Sequence, residues 1–370
     1  MGQRGSEVDL LSLVSFLIVL GVLVIVHEFG HFIVAKLLGV RVEKFSIGFG
    51  PRIASIKKAD TEYLISAIPL GGYVKMGGDE PGETITGQKW EFLSRSVSDR
   101  FKIIFAGPLL NYILAFMIFS VIFMFGSPTM TTEVGSLLKG YPAEAQGIKV
   151  GDKILAVDGK DVKYWEDMTE IIRKHAEGPM DLSMRRGGQT IEMKIVPTIR
   201  KTKDIFGHEA TIALIGVGPS QNIEKVRYGF FTSIGMGFNK LLGLTAITYK
   251  ALWFILIGKM SLKESMTGPI GIFVITGQAA KMGFIYIIHL MGILSASLAI
   301  FNVLPFPVLD GGHILFLVIE KVRGKPLPLK TQEAIMNVGI ALLILFTVFV
   351  FYSDIMKFGI ADKMIKLFKR

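Results

Sequence analysis

The first long apolar run of the chain, residues 10–38, carries the sequence HEFGH near its end, and this pairing constrains the fold more than any other feature. About 20 mostly apolar residues suffice to cross a bilayer, and the run exceeds that length. In lipid every backbone N–H and C=O must be paired within its own segment, so the run predicts a transmembrane helix. Ionisable groups at such depth are costly and mark function. His27, Glu28 and His31 are therefore the first candidates for chemistry. No small-residue cleavage site follows, so the run reads as a retained span rather than a signal peptide.

Residues 103–125, 286–304 and 335–353 are further apolar runs, which predicts a polytopic α-helical membrane protein with about four transmembrane helices. The composition agrees: 51% of the chain is hydrophobic and the mean hydropathy is +0.51. Residues 228–257 are also apolar but carry Lys240, Lys250 and several glycines. They read as an amphipathic helix lying on the interface, with a fifth span as the alternative.

The formal net charge is +10. Arg41, Lys44, Arg52, Lys57, Lys58 and Lys75 lie between the first two runs, and Arg95, Arg100 and Lys102 precede the second. Positive loops stay in the cytoplasm, which places this loop inside and the region after the second run outside. The loop 320–330 then returns inside, and the basic tail 363–370 falls outside, against the same bias. The basic excess anchors membrane lipid; no stretch pairs it with aromatics as nucleic-acid binding requires.

Residues 129–219 are the one soluble-looking block. Short β-type runs (KILAVDG, DLSMRRG, TIEMKIV) alternate with turns at Asp158-Gly159 and Gly187-Gly188, around one helical stretch at 164–175. The expected layout is a first membrane part at 1–126, an inserted β-rich domain at 127–222, and a second membrane part at 223–370.

HEFGH fits the His-Glu-x-x-His pattern. On a helix, residues four apart share a face, so His27 and His31 can reach one zinc ion. Glu28 then stands beside the metal as a general base for a water. The chain has no cysteine, so a further ligand must be His, Asp or Glu. His175, His208, His289, His313 and Asp310 remain. Asp310 stands out because it closes the third apolar run after Pro305 and Pro307, which would break that helix and turn the carboxylate back into the bundle. The plain alternative is a turn residue at a membrane boundary. His313 is expected to face the interface.

HEFGH in the first run and NVLPFPVLDG at 302–311 together resemble the site-2 protease family of intramembrane zinc metalloproteases, of the regulator of sigma-E protease (RseP) type. AGPLLNYILAF at 106–116 is similar to the second core helix of that family. PLGGYVKMGGD at 69–79 is similar to its membrane-associated β-hairpin loop, here expected at 63–79. YPAEAQGIKVGDKILAVDGKDV at 141–162 resembles a PDZ domain of the bacterial protease type. The resemblance implies zinc held by His27, His31 and Asp310, with Glu28 as the catalytic base. It implies substrate contacts by Asn302 and by Gly71, Gly72 and Tyr73. It also implies a bacterial cytoplasmic (inner) membrane protein with the PDZ domain outside and the active site towards the cytoplasm. Substrates would be single-span membrane proteins such as anti-sigma factors or remnant signal peptides. The best-known members carry two tandem PDZ domains; this chain has room for one, whose groove, near Ile215 to Gly218, would take a peptide or C-terminus. Read from the residues alone, Gly71-Gly72 is a glycine-rich turn leading into a strand.

Two other classes fit parts of the chain. A metal-cation transporter would also place His and Asp in the membrane, but no internal repeat is visible. A non-catalytic PDZ scaffold would not need Glu28.

Overall fold

The computed structural model describes residues 10–79, 86–175, 178–203, 209–220 and 222–359. In chain order, helix α1 (Leu10–Leu37) leads to strands β1 (Val42–Lys58) and β2 (Thr61–Met76) and helix α2 (Val97–Phe125). Then come β3 (Ser127–Met130), β4 (Val134–Leu137), α3 (Pro142–Ala145), β5 (Lys153–Val157), β6 (Lys160–Asp161) and α4 (Trp165–Lys174). Next are β7 (Met180–Arg186), β8 (Gln189–Ile195), β9 (Thr198–Lys203), β10 (Glu209–Leu214), β11 (Val217–Pro219) and β12 (Ile223–Val226). The chain continues through α5 (Phe230–Leu256), α6 (Leu262–Ser265), α7 (Pro269–Met282), α8 (Phe284–Val303), α9 (Asp310–Arg323) and α10 (Leu329–Lys357).

Two compact units result. One comprises Met1–Val121, Ile234–Leu252 and Ser261–Arg370; the other comprises Ile122–Ser233 and Trp253–Met260. Among the described residues five helices are long and apolar enough to cross a membrane: α1, α2, α5, α8 and α10. This revises the expected count of about four, because 228–257 forms one 27-residue helix that qualifies by length and composition. Glycines and two lysines dilute its hydropathy without interrupting the helix.

Helix contacts give the directions. The Tyr112 and Thr245 hydroxyls are 2.8 Å apart, the Phe116 and Phe238 rings meet edge-on, and Gly237 rests on Ser120. These pairs run in opposite order, so α5 is antiparallel to α2. Gly292 packs on Ile118 and Phe119, while the Ser295 hydroxyl donates to the Asn111 carbonyl at 2.7 Å. Thus α8 is antiparallel to α2 as well, and both run in the direction of α1. The return between them is made by α7. Its Phe273 meets Phe16, and Gly277 rests on Ser12, so it is antiparallel to α1. Its 14 residues rise ~21 Å, short of the ~30 Å apolar layer.

The first turn of a helix exposes N–H groups that have no partner within the helix. Asp354 of α10 satisfies two of them: its carboxylate accepts from the Gly268 N–H at 3.0 Å and the Gly271 N–H at 2.8 Å. Asp354 is 1% exposed, and this cap accounts for a buried acid near the end of α10.

β1 and β2 form a hairpin longer than the expected 63–79, turning at Ala59-Asp60. The Gly71-Gly72 pair closes a second reversal of the chain, between residues 66 and 72, with Gly71 at φ +128°. It lies within β2, where Gly72 is opposite Ile47 and Tyr73 opposite Ser46.

In the second unit a four-stranded antiparallel sheet runs in the order β6-β5-β7-β8. β7 alternates as its sequence requires: Met180, Leu182 and Met184 are buried and Asp181 is exposed. With Ile154, Val157, Met168, Ile172, Ile195 and Ile215 they form one core. Beside it Arg186 forks onto Asp152, with both hydrogen bonds at 2.7 Å. The guanidinium holds the Asp152 carboxyl below the usual carboxylate range.

Candidate active site

The first unit contains the site. α1 presents His27 and His31 on one face, with their rings edge to face and their Nε2 atoms 3.2 Å apart. Pro305 and Pro307 keep 304–309 out of helix, and α9 begins at Asp310. Its carboxylate Oδ2 lies 3.1 Å from His27 Nε2 and 3.6 Å from His31 Nε2. Arg100 of α2 pairs with Glu320 of α9, with side chains 10% and 15% exposed, and ties α9 in place.

These three residues are the one such group of potential metal ligands among the described residues. Their donor set fits zinc, which takes imidazole nitrogen and carboxylate oxygen. Ligands of one tetrahedral ion stand roughly 3.3–3.6 Å apart, close to the spacings present. Asp310 Oδ2 is buried and makes no hydrogen bond despite its proximity to both imidazoles. Lone pairs that converge on a common point, rather than on each other's protons, produce that pattern.

α2 closes the other side of the imidazoles. His31 Nδ1 donates to the Ile103 carbonyl at 2.9 Å, and Asn111 lies 3.4 Å from His27 Nδ1. Gly107 is pressed against both rings: a Cβ there would stand 2.3 Å from His31 Nε2 and 2.9 Å from His27 Cε1.

Glu28 points towards β2, where its carboxylate accepts from the Val74 backbone N–H. Gly72 lies under it: a Cβ at 72 would meet the Ser46 carbonyl at 2.7 Å and Glu28 Cγ at 3.4 Å. Tyr73 stacks on Phe49. Residues 44–47 of β1 have 72–75 on one side and 62–65 on the other. In this register the 72–75 segment has β1 along one edge and Glu28 against the other.

Other candidates lie apart from the cluster or at its margin. Asn302 is half-buried in the last turn of α8. His313 is exposed and lines a cavity of about 490 Å³ with Tyr73, Val74 and Lys75. His289 packs on Phe119, and His175 bonds Asp158 in the second unit. His208 lies outside the described residues. Asn111, Gly107 and Ser295 were not singled out from sequence. The signal for Asn111 was present, as a lone amide in an apolar run.

A multi-pass helical membrane protein with a His/His/Asp cluster and a glutamate beside it has the build of a membrane metallopeptidase. Residues 15–346 match peptidase family M50. The chain belongs to that family, the site-2 proteases. It is similar to the zinc metalloprotease RasP of Geobacillus kaustophilus, with 31% identity over 94% of this chain and 98% of that one. It is also similar to a protein of Agrobacterium fabrum with a zinc-metalloprotease name, at 32% over 93% and 95%. The PDZ domain of the SdrC-like protein from Listeria monocytogenes covers 24% of the chain and 84% of its own at 23% identity. Its TM-score of 0.19 gives no argument about the fold.

Proposed function

We propose that the chain is an intramembrane zinc metalloendopeptidase in which His27, His31 and Asp310 hold the metal and Glu28 is the general base. The observation that carries this is the buried, unbonded Asp310 Oδ2 set against both imidazoles of the His-Glu-x-x-His helix. Bound zinc supplies Lewis acidity, polarising a carbonyl and easing deprotonation of water. Glu28 takes that proton and returns it to the leaving amine. The Val74 N–H holds the carboxylate in place for both transfers.

A helical substrate hides its carbonyls in its own hydrogen bonds and must unwind before attack. The β2 segment 72–75, beside Glu28, suits capture of the unwound stretch as an added strand. Asn302 would hold the substrate from the α8 side. Residues 127–222, within the second unit, read as an inserted PDZ domain, which would take a peptide or C-terminus near Ile215 to Gly218. The basic residues of 41–102 support a cytoplasmic location for the hairpin and an extracytoplasmic one for the inserted domain. Substrates are single-span membrane proteins of the anti-sigma-factor or remnant-signal-peptide kind. Neither transport nor a scaffold role finds support: the family is a peptidase family and Glu28 is intact.

The test is cleavage of a tagged single-span reporter by the purified protein. Cleavage should be lost in Glu28→Gln and with chelator, while Glu28→Gln keeps its zinc. Equal turnover in native and variant protein would remove the base from the mechanism.

A further inference from the structure

An imidazole that binds metal through Nε2 carries its proton on Nδ1, and an acceptor at Nδ1 fixes that tautomer. For His31 the acceptor is the Ile103 carbonyl, which cannot donate. His27 meets only an amide: Asn111 Nδ2 lies 3.4 Å from its Nδ1. A donor there would leave the proton of neutral His27 on Nε2, aimed at Asp310 and closed to metal. Meanwhile Asn111 Oδ1 is buried without a partner, in a residue that is 0% exposed. A half-turn about Cβ–Cγ exchanges the two ends of the amide in the same space and gives His27 its acceptor.

We infer that Asn111 is the positioning residue of His27: its Oδ1 accepts the Nδ1 proton and keeps the Nε2 lone pair on the metal side. The residue is well held for the task. Its carbonyl accepts from Ser295, itself 0% exposed, so α8 fixes the α2 backbone where the amide projects. α2 thus supplies one acceptor to each imidazole, Ile103 for His31 and Asn111 for His27. This role rests on the metal-site reading above.

Zinc affinity of the purified full chain, measured by chelator competition, tests it. Loss of such a partner costs roughly 10–100-fold in metal affinity. Asn111→Leu, similar in volume and without an acceptor, should fall by that factor while its metal-free unfolding midpoint stays near that of the native chain. Asn111→Asp, which keeps an acceptor, should recover most of the affinity. Native affinity in Asn111→Leu overturns the assignment. So does a His27 without an Nδ1 proton in the ¹⁵N histidine spectrum of the zinc-loaded native protein, a readout that needs no variant to fold. The metal-site reading fails separately, and takes this one with it, if the native chain binds no zinc or if His31→Ala and Asp310→Ala bind it unchanged.

Discussion

Gly107 of α2 lies directly on His31 of α1, so close that a Cβ at 107 would stand 2.3 Å from His31 Nε2. Nothing larger than hydrogen fits between the helix backbone and the metal-facing edge of the imidazole. Gly107→Ala should therefore displace the ring, or separate the helices, at an overpacking cost of about 1–3 kcal/mol. The expected result is a folded protein with zinc content reduced at least tenfold and no cleavage. Full zinc occupancy in Gly107→Ala would show that the ring can yield.

Asp354 makes a different prediction, because it acts far from the chemistry. Its two hydrogen bonds cap the start of α7. Asp354→Leu leaves two N–H groups without an acceptor, at a cost on the order of 2–4 kcal/mol. Unfolding in detergent should occur at a lower temperature, with Asp354→Asn intermediate. The native chain has no cysteine, so a Phe16→Cys/Phe273→Cys pair reports α1–α7 contact cleanly. Its cross-linking should fall in Asp354→Leu. Unchanged cross-linking and midpoint would mean that another acceptor serves α7.

These two residues show where sequence reading stops. The long apolar runs and the His-Glu-x-x-His spacing were legible because each expresses a local rule: length for a span, four residues for a helix face. Asp310 was legible because Pro305 and Pro307 announce the break before it. α7 was not, since 14 residues fall short of a span and its cap comes from Asp354, more than 80 positions away. Gly71-Gly72 was legible as a turn leading into a strand, and Gly71 at φ +128° ends the reversal within β2; the close approach of Gly72 to Ser46 and Glu28 was not legible, because those partners are distant in sequence. The turn between β1 and β2 uses Ala59 at φ +51°, a conformation its residue type does not advertise.

Glu91 clasps the loop that joins the hairpin to α2. Its carboxylate accepts from the Thr86 hydroxyl at 2.6 Å, the Ser94 hydroxyl at 2.7 Å, and the N–H groups of Thr86, Gly87 and Gln88. The Thr86 hydroxyl leads the bonds that lower its pKa from 4.5 to about 2. A depressed folded pKa means that the unfolded chain binds the proton first. The clasp is therefore fully formed above pH 4.5 and is lost as pH falls towards 2. Protection of the 86–94 amides from exchange should be flat above that window and fall within it. Glu91→Gln should show the weakened protection at neutral pH. A variant as protected as the native chain would leave the clasp without effect.

The last prediction concerns Gly72, which lies under the proposed base. A methyl group there meets the Ser46 carbonyl on one side and Glu28 Cγ on the other. β2 must then move away from β1 or push against Glu28, and either shift misplaces the Val74 N–H that holds the carboxylate. The metal ligands are untouched, since none contacts β2 through this position. Gly72→Ala should thus keep native zinc affinity yet lose tenfold or more in kcat/KM on a membrane reporter, a barrier change of about 1.4 kcal/mol or more. Reporters already unwound near the cut site by helix-breaking residues should lose less, because they depend less on capture by the strand. A uniform loss across both reporters would place the defect at Glu28 alone. Unaltered kcat/KM on both would remove the 72–75 segment from substrate handling.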